Sequence, residues 1–149
     1  MRAIEGLSRL HISSIEPTTI PEDLFLFMAD GNHPLMPCLH VPLQSGCDSV
    51  LSGMKRKYKL KEMQNFFNRA KDSVPNICLG TDLLVGFPGE TDVDFMKTCG
   101  TFQESQPDYC HVFTFSERKG TPVSKMDNQV PMDERHKRSA HLRALSSSK

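Results

Sequence analysis

Residues 81–91 read TDLLVGFPGET, and this stretch combines an apolar run with an abrupt turn. The run ends at Val85, and the Gly86-Phe87-Pro88-Gly89 segment that follows suits neither a strand nor a helix interior. Thr91 and Asp94 then have the spacing of a helix capping box. The stretch therefore predicts a buried strand, a tight turn and a helix in direct succession.

Similar apolar segments occur elsewhere at intervals of roughly 30 to 40 residues, the spacing of βα units. The predicted strands are Leu7–Ile15, Cys38–Leu43, Ile77–Val85 and Tyr109–Phe115. Strands that alternate with helical patterns predict an α/β fold with a parallel sheet and right-handed crossovers. Pro42 has no amide donor, so it predicts a strand end or a sheet edge.

Helix signals occupy the segments between the strands and the region after them. The predicted helices are one that begins at the Thr19–Asp23 signals and ends at Gly31, then Ser49–Lys57, Leu60–Ser73, one that begins after Thr91, and Pro131–Leu145. Asp48 is the predicted cap of the helix over Ser49–Lys57. The last helix is polar and predicted to lie on the surface, ahead of a frayed tail at 146–149. We therefore divide the chain into residues 1–118, with four βα units, and residues 119–149.

Polar residues follow each predicted strand. Ligands of parallel α/β folds bind at the carboxyl ends of the strands, so these positions form one candidate surface. Its members are Ser13, Ser14, Glu16, Gln44, Ser45, Asp48, Asp82, Glu90, Ser116, Glu117 and Arg118. Such groups suit a polar small molecule with ribose hydroxyls or an amino-acid group. No serine or cysteine here has an evident histidine partner, and we interpret His40 and His111, inside predicted strands, as core histidines.

The glycines of the turn have a backbone reason to be there. Gly86 and Gly89 allow positive φ and a close approach by a ligand or another chain segment. A phosphate-binding loop would require a lysine followed by serine or threonine, and the turn has neither. On this stretch alone, a purely structural turn and a ligand-binding turn both remain open.

Composition sets further bounds. The chain has 149 residues, a formal net charge of zero and no apolar run long enough for a membrane span, which makes a cytoplasmic location the default expectation. Its five cysteines show no CxxC or CxxxC spacing, so no metal or cluster site is predicted from them. The dense basic run Lys55-Arg56-Lys57 either complements a helix C-terminus or contacts nucleic-acid phosphates.

Taken together, four motifs resemble those of the radical S-adenosylmethionine methylthiotransferases in order and spacing. They are RLHISSIEP (9–17), LHVPLQSGCDSVLSGMKRKY (39–58), TDLLVGFPGETDVDF (81–95) and FTFSERKGTPVSKM (113–126). The resemblance runs from about Leu7 to Leu145. The stretch Ser13–Pro17 looks most like the branch that modifies N6-threonylcarbamoyladenosine at position 37 of tRNA.

The resemblance implies a partial parallel (β/α)6 barrel, with these strands as barrel strands three to six, and S-adenosyl-L-methionine as a cofactor. It would place Ser14, Glu16, Gln44, Ser45 and Asp82 at the cofactor, the first four near its methionine and ribose parts. Near adenine it would place the main chain of Val85, Gly86, Phe115 and Ser116. Glu90 stands four residues after Gly86 rather than three, a departure from the superfamily pattern that weakens a ligand role for it. None of these residues is predicted to be a general acid or base.

The implied parent reaction is methylthio insertion at C2 of the modified adenine, begun by a 5′-deoxyadenosyl radical. It requires a [4Fe–4S] cluster held by a CxxxCxxC loop, and the sequence lacks that motif. The cluster-ligating region, a preceding cluster domain and a C-terminal RNA-binding barrel are expected from outside this chain. The sequence therefore predicts a fragment that is inactive alone, with tRNA as the substrate of the parent.

Three alternatives differ in kind. The chain could belong to another radical S-adenosylmethionine enzyme, including a ribosomal-protein methylthiotransferase. It could be a self-sufficient nucleotide-binding α/β module that uses the turn after Val85. It could also be a non-catalytic RNA-binding module that uses Lys55, Arg56 and Lys57. Half a barrel would leave apolar strand edges uncovered, so we also expect the isolated chain to aggregate or oligomerise.

Overall fold

The computed structural model describes residues 4–148 as a parallel β-sheet with helices. The strands are β1 (Leu10–Ile12), β2 (Leu35–His40), β3 (Cys78–Val85) and β4 (Tyr109–Thr114). The helices are α1 (Asp23–Ala29), α2 (Asp48–Gly53), α3 (Leu60–Ser73), α4 (Asp92–Ser105) and α5 (Met132–Ser147), with short 3₁₀ turns at Pro17–Thr19 and Pro122–Lys125. None of the helices in this part of the chain is long and apolar enough to cross a membrane.

The sheet order is β1-β2-β3-β4, the same as the order along the chain, and every pairing is parallel. Leu39 is the register partner of Leu79, and Leu83 that of Val112, so apolar residues align across the sheet. Within the described residues β1 and β4 each pair on one side only. The predicted α/β class and the parallel sheet are therefore confirmed.

The two faces of the sheet differ because alternate residues of a strand point in opposite directions. One face carries buried aliphatic residues such as Leu39, Leu79 and Leu83, which form a single core cluster with Phe66 and Phe67 of α3. We call the other face the open face; it carries His40, Asp82, Tyr109, His111 and Phe113. The helices within residues 4–148 therefore cover one side of the sheet and leave the other, largely polar side without them.

The strand boundaries differ from the predictions where the backbone becomes left-handed. The first strand was predicted over Leu7–Ile15 but is limited to Leu10–Ile12, and Ser14 has a φ of 56°. The second strand ends at His40, before Pro42, and its pairing with β3 continues only through the bond from Val41 N to Gly80 O and an isolated bridge from Gln44 to Leu83. A positive φ takes a residue out of the extended conformation, which interrupts regular pairing.

Two predictions for α2, its C-terminal end and its cap, were wrong. The helix predicted over Ser49–Lys57 ends at Gly53, and Lys55 has a φ of 57° that a helix cannot continue. Asp48 is the first residue of this helix rather than its cap, and its Oδ1 instead accepts the amide of Leu60 at 2.8 Å. By contrast, the boundaries of α3 and the Thr91–Asp94 capping box are confirmed.

The C-terminal helix differs most from its prediction as a surface helix. In α5 the side chains of Arg135, Arg138 and Leu142 are buried, so one face of the helix packs against the sheet. The helix also continues to Ser147, through part of the predicted frayed tail, whereas Lys149 lies outside the described residues. The predicted division at residue 118 therefore separates a helix from strands that it packs against.

Candidate functional site

Left-handed residues mark the ends of three neighbouring strands. Ser14, Gln44 and Gly86 have φ angles of 56°, 66° and 77°. The amide of Gln44 donates to Asp82 O at 2.8 Å, and its carbonyl accepts the amide of Leu84 at 2.8 Å. The main chain of the second strand exit is thereby fixed to β3. These exits lie side by side because the carboxyl ends of parallel strands share one edge of the sheet.

Ser45 faces away from that edge. Its side chain is fully buried, its Oγ lies 3.2 Å from Thr98 Oγ1 on α4, and it accepts the amide of Cys47 at 3.2 Å. The adjacent Gly46 packs so closely on α4 that a Cβ atom there would lie 2.7 Å from Thr98 Cα. Ser45 therefore helps to pack α4 against the loop after β2. Its position after a predicted strand did not indicate this role.

A hydrogen-bonded group of side chains occupies the centre of the open face. Asp82 Oδ1 lies 2.9 Å from His40 Nε2 and 3.2 Å from His111 Nδ1, and His40 Nδ1 lies 3.1 Å from the hydroxyl of Tyr109. The register explains the group, because Asp82 and His111 are direct partners on β3 and β4. Burial raises the pKa of Tyr109. The group presents one carboxylate whose Oδ1 atom is shared by two imidazoles.

The interpretation as core histidines fits His40, which is buried and hydrogen-bonded, but was wrong for His111. The side chain of His111 is 59% exposed, and His40, although buried, bonds to polar groups on the open face. Strand alternation together with the register, which pairs His40 with Gly80 and His111 with Asp82, places both histidines on the same face as Asp82. One nitrogen of each imidazole and a carboxylate oxygen of Asp82 lie within 4.8 Å of one another, so the three groups have the geometry to hold a divalent cation.

The turn after β3 is held by a buried carboxylate. The amide of Gly86 donates to Glu90 Oε2 at 2.7 Å, and Arg138 Nη1 donates to the same oxygen at 2.7 Å. Burial raises the pKa of Glu90, while its bonds with Gly86 and Arg138 act in the opposite direction. The side chain of Glu90 is 0% exposed, so in this structure it supports the turn from behind and offers no surface to a ligand.

A second arginine of α5 contacts the neighbouring strand exit. Arg135 Nη1 donates to Phe115 O at 3.0 Å, and its guanidinium carbon lies 5.3 Å from the centre of the Phe115 ring. Phe115 meets Phe87 edge to face, with ring centroids 5.6 Å apart. Val85 accepts the amide of Phe115 at 2.9 Å, which ties together the two strand exits predicted to lie near adenine. Ser116 follows Phe115 in an exposed segment.

The predicted basic run lies beside the same edge. Lys55 and Lys57 are exposed, and Arg56 Nη1 lies 3.9 Å from Glu16 Oε1 at the exit of β1. Tyr58 anchors the run, since its hydroxyl donates to Pro42 O at 2.8 Å. Burial raises the pKa of this hydroxyl to about 12, so it remains a donor at neutral pH. The structure thus brings two groups of predicted site residues, the basic run and Glu16, into contact.

The cysteines are dispersed over the fold. Cys38 and Cys78 are register partners on β2 and β3, Cys47 Sγ lies 3.1 Å from Asp94 Oδ1, and Cys99 is buried in the core. Burial and a hydrogen bond to Cys38 raise the pKa of Cys78 to about 11, so it is a thiol at neutral pH. Among the residues that the structure describes, no three thiols converge as an iron–sulfur cluster requires.

Comparisons with known proteins identify the family. The model of the Radical SAM superfamily matches residues 2–101, about two thirds of the chain. A tRNA-2-methylthio-N(6)-dimethylallyladenosine synthase from Thermobifida fusca is 40% identical over 93% of this chain and 28% of its own length. The threonylcarbamoyladenosine tRNA methylthiotransferase MtaB from Bacillus subtilis is 37% identical over 96% of this chain and 32% of its own length. The chain therefore spans about a third or less of these relatives.

A solved structure shares the fold. Coproporphyrinogen III oxidase (HemN) from Escherichia coli, a radical SAM enzyme, superposes with a TM-score of 0.71 at 18% identity and covers 92% of this chain and 31% of its own length. The prediction of a partial barrel of this type is confirmed, as is the resemblance to the methylthiotransferases. This chain belongs to the radical SAM superfamily, and its sequence relatives there include tRNA methylthiotransferases.

Proposed function

We propose that this chain is the part of a tRNA methylthiotransferase that positions the cofactor and the substrate base. The observation that carries the proposal is the identity of 37–40% with two such enzymes over nearly the whole chain. The parent reaction adds a methylthio group to C2 of a modified adenosine. The cofactor would supply the radical that removes the hydrogen at C2, and this chain would supply binding and orientation.

We favour N6-threonylcarbamoyladenosine at position 37 as the target nucleoside. The support is the stretch Ser13–Pro17, SSIEP, at the exit of β1, where Glu16 meets the basic run. Relatives named for the threonylcarbamoyl and the dimethylallyl nucleosides match this chain about equally well. The proposal for this branch therefore rests on the β1 exit rather than on overall identity.

The donor set at the strand exits fits S-adenosyl-L-methionine. Asp82 is 18% exposed at its side chain, and its carboxylate can accept hydrogen bonds from ribose hydroxyls. Ser14, Glu16 and Gln44 add a hydroxyl, a carboxylate and an amide at adjacent exits, suited to an amino-acid group. Phe115, partly buried beside Phe87, offers an aromatic surface to adenine. We assign these residues to binding and none to proton transfer.

The cluster does not fit this chain, because its thiols are dispersed over the fold and, within residues 4–148, no three of them converge on one site. We therefore derive no step through it and propose that its ligands come from another part of the parent protein. On this proposal the chain alone lacks activity. Reconstitution of a stable iron–sulfur cluster on the isolated chain would contradict that claim.

A chimera tests the function and the branch together. This chain would replace the homologous segment of the Bacillus subtilis relative, in a strain that lacks that enzyme. We expect the chimera to restore the 2-methylthio form of N6-threonylcarbamoyladenosine, measured by mass spectrometry of digested tRNA. A chimera with Asp82→Asn provides the control for a cofactor-dependent signal. Methylthiolation of the dimethylallyl nucleoside alone would reject the branch, and a stable chimera without any product would reject the function.

A self-sufficient nucleotide-binding module predicts a different result. Such a module would bind free nucleotides tightly through the turn after Val85, whereas our proposal expects a preference for S-adenosyl-L-methionine and its nucleoside analogues. Calorimetry on the isolated chain with S-adenosyl-L-methionine and with ATP separates the two. Tight ATP binding together with a failed chimera would favour the module.

A further inference from the structure

We propose that Arg135 and Arg138 of α5 are positioning residues for the adenine end of the cofactor. The inference rests on the proposed function, because it concerns the strand exits assigned there to adenine. It adds two residues that lie outside the segment matched by the superfamily model, residues 2–101. Neither belongs to the site predicted from the sequence.

Arg138 fixes the turn after β3 through the side chain of Glu90. Its Nη1 donates to Glu90 Oε2 at 2.7 Å and to Glu90 O at 3.1 Å, while Nη2 donates to Asp92 Oδ1 at 2.7 Å. Glu90 in turn accepts the amide of Gly86 at 2.7 Å. A planar guanidinium can hold several oxygens at once, whereas a lysine ammonium is a point charge without that fork. Arg138 therefore sets the position of Gly86 through Glu90.

Arg135 fixes the exit of β4 directly. Besides its bond to Phe115 O, its Nε donates to Val130 O at 2.6 Å and its Nη2 donates to Glu117 Oε1 at 2.6 Å. The aliphatic stem lies so close to Gly86 that a Cβ atom there would overlap Arg135 Cγ. The carbonyl of Phe115 has two lone pairs, so the bond from Arg135 leaves one for a ligand.

The two arginines converge on both walls of the proposed adenine position. Both are buried, at 2% and 5% exposure, and are one helical turn apart on α5. Their bonds to Glu90 and Phe115 hold the main chain of two strand exits in a fixed geometry before any ligand arrives. Preorganised groups bind more tightly because less ordering is required on association. Loosening either arginine should therefore weaken binding of the adenine part specifically.

The test compares two ligands on the full chain and its variants by calorimetry. S-adenosyl-L-methionine carries the amino-acid group, and 5′-methylthioadenosine lacks it. We expect Arg138→Lys and Arg135→Lys each to raise the Kd for both ligands by the same factor, about tenfold, as loss of a bond to a charged group predicts. The control is Arg143→Lys on the same helix. Arg143 Nη2 contacts Val112 O within β4 rather than a strand exit, so this variant should leave both Kd values unchanged.

Loss of folding has a different signature. A partly unfolded sample lowers the binding stoichiometry, whereas displaced strand exits raise the Kd of a fully folded one. The double variant Glu90→Gln/Arg138→Gln removes both charges, so no buried carboxylate is left unpaired. It should bind both ligands with full stoichiometry but with a higher Kd than the wild type. Hydrogen exchange of the Gly86 amide should be faster in this variant than in the wild type.

Each outcome leads to one conclusion. If the wild type binds the ligands and the Kd values of Arg135→Lys and Arg138→Lys are unchanged, this inference is overturned while the proposed cofactor site stands. An increase for S-adenosyl-L-methionine without one for 5′-methylthioadenosine would overturn it as well, since the effect would lie at the amino-acid end. A folded wild type that binds neither ligand would overturn the proposed cofactor site, and this inference with it.

Discussion

His40 Nε2 lies 2.9 Å from Asp82 Oδ1, and His111 Nδ1 reaches the same oxygen at 3.2 Å. A carboxylate that accepts two imidazole donors through one oxygen is held in a fixed orientation. That orientation turns the Asp82 side chain along the open face of the sheet. The arrangement makes Asp82 the natural first target for mutation.

We predict that Asp82→Asn raises the Kd for S-adenosyl-L-methionine by about tenfold, the effect expected when a hydrogen bond to a charged group is lost. The amide side chain cannot accept both histidines and a ligand hydroxyl as the carboxylate can. The control is Asp108→Asn, whose Oδ2 accepts Leu79 N at the opposite end of the sheet. Calorimetry should show a change only for Asp82. Equal Kd values in wild type and Asp82→Asn would exclude Asp82 from binding.

Close packing at Gly46 predicts a stability difference between two glycines. Gly46→Ala would bring a Cβ atom to 2.7 Å from Thr98 Cα, and such overpacking costs about 1–3 kcal/mol. Gly100→Ala, inside α4 with open space around it, should instead raise the free energy of unfolding by about 1 kcal/mol. Urea denaturation measures both. Equal midpoints for the two variants would show that α4 does not press on the second strand exit.

The hydrogen bonds of Asp94 predict that the free energy of unfolding falls at acid pH. Its hydrogen bond with the Thr91 side chain, followed by that from Cys47, lowers the pKa of Asp94 to about 2. The unfolded chain therefore binds this proton more tightly than the native state does. The stabilising contribution is complete above about pH 4 and is lost as the pH falls through about 2. Urea unfolding at about pH 5 and about pH 2.5 should show a smaller acid-induced loss for Asp94→Asn than for wild type.

The matched control for this prediction is Asp72→Asn, at an exposed carboxylate on α3. This variant should lose as much stability on acidification as the wild type does. If Asp94→Asn also lost as much as the wild type, the capping box would contribute nothing to the pH dependence.

The exposed lysines of the basic run predict salt-dependent tRNA binding. The logarithm of the association constant for tRNA falls as the logarithm of the salt concentration rises. Lys55→Ala and Lys57→Ala should each make this negative slope less steep by about one, the expected change for the loss of one phosphate contact. The control is Lys137→Ala on α5, where the lysine lies near Asp133 and Glu134. Mobility-shift titrations over a salt series give the slopes. Slopes that do not change in either variant would remove these lysines from the RNA interface.

The open face predicts self-association of the isolated chain. Phe113 is 50% exposed there, and β1 and β4 each have an unpaired side within the described residues. Exposed apolar surface and unpaired strand edges favour association. We expect light scattering to detect oligomers of the wild type and fewer of Phe113→Lys. A monomeric wild type would contradict this prediction.

Much of the fold followed from local sequence patterns. The helix over Leu60–Ser73 and the capping box at Thr91 were predictable because their signals lie within one turn of helix. The roles of Arg135 and Arg138 were not, because charged residues are ordinarily assigned to the surface and the partner Glu90 lies 48 positions from Arg138. His111 was misassigned as a core residue because the register of β3 with β4, which pairs it with Asp82, was not used. The part of the site that was predicted follows from local sequence signals, and the part that was missed depends on pairing between residues far apart in the chain.

Because the strands pair in the order in which they occur along the chain, the sheet contains no pairing that must wait for a later segment. Each new strand can add to an edge that is already formed, with loop closure limited to one βα unit. Such sequential connectivity keeps the contact order of the sheet lower than an interleaved strand order would, which favours faster folding than that alternative. Synthesis from the N-terminus would therefore build this sheet strand by strand, and α5 would dock last, when both strand exits that it holds are in place.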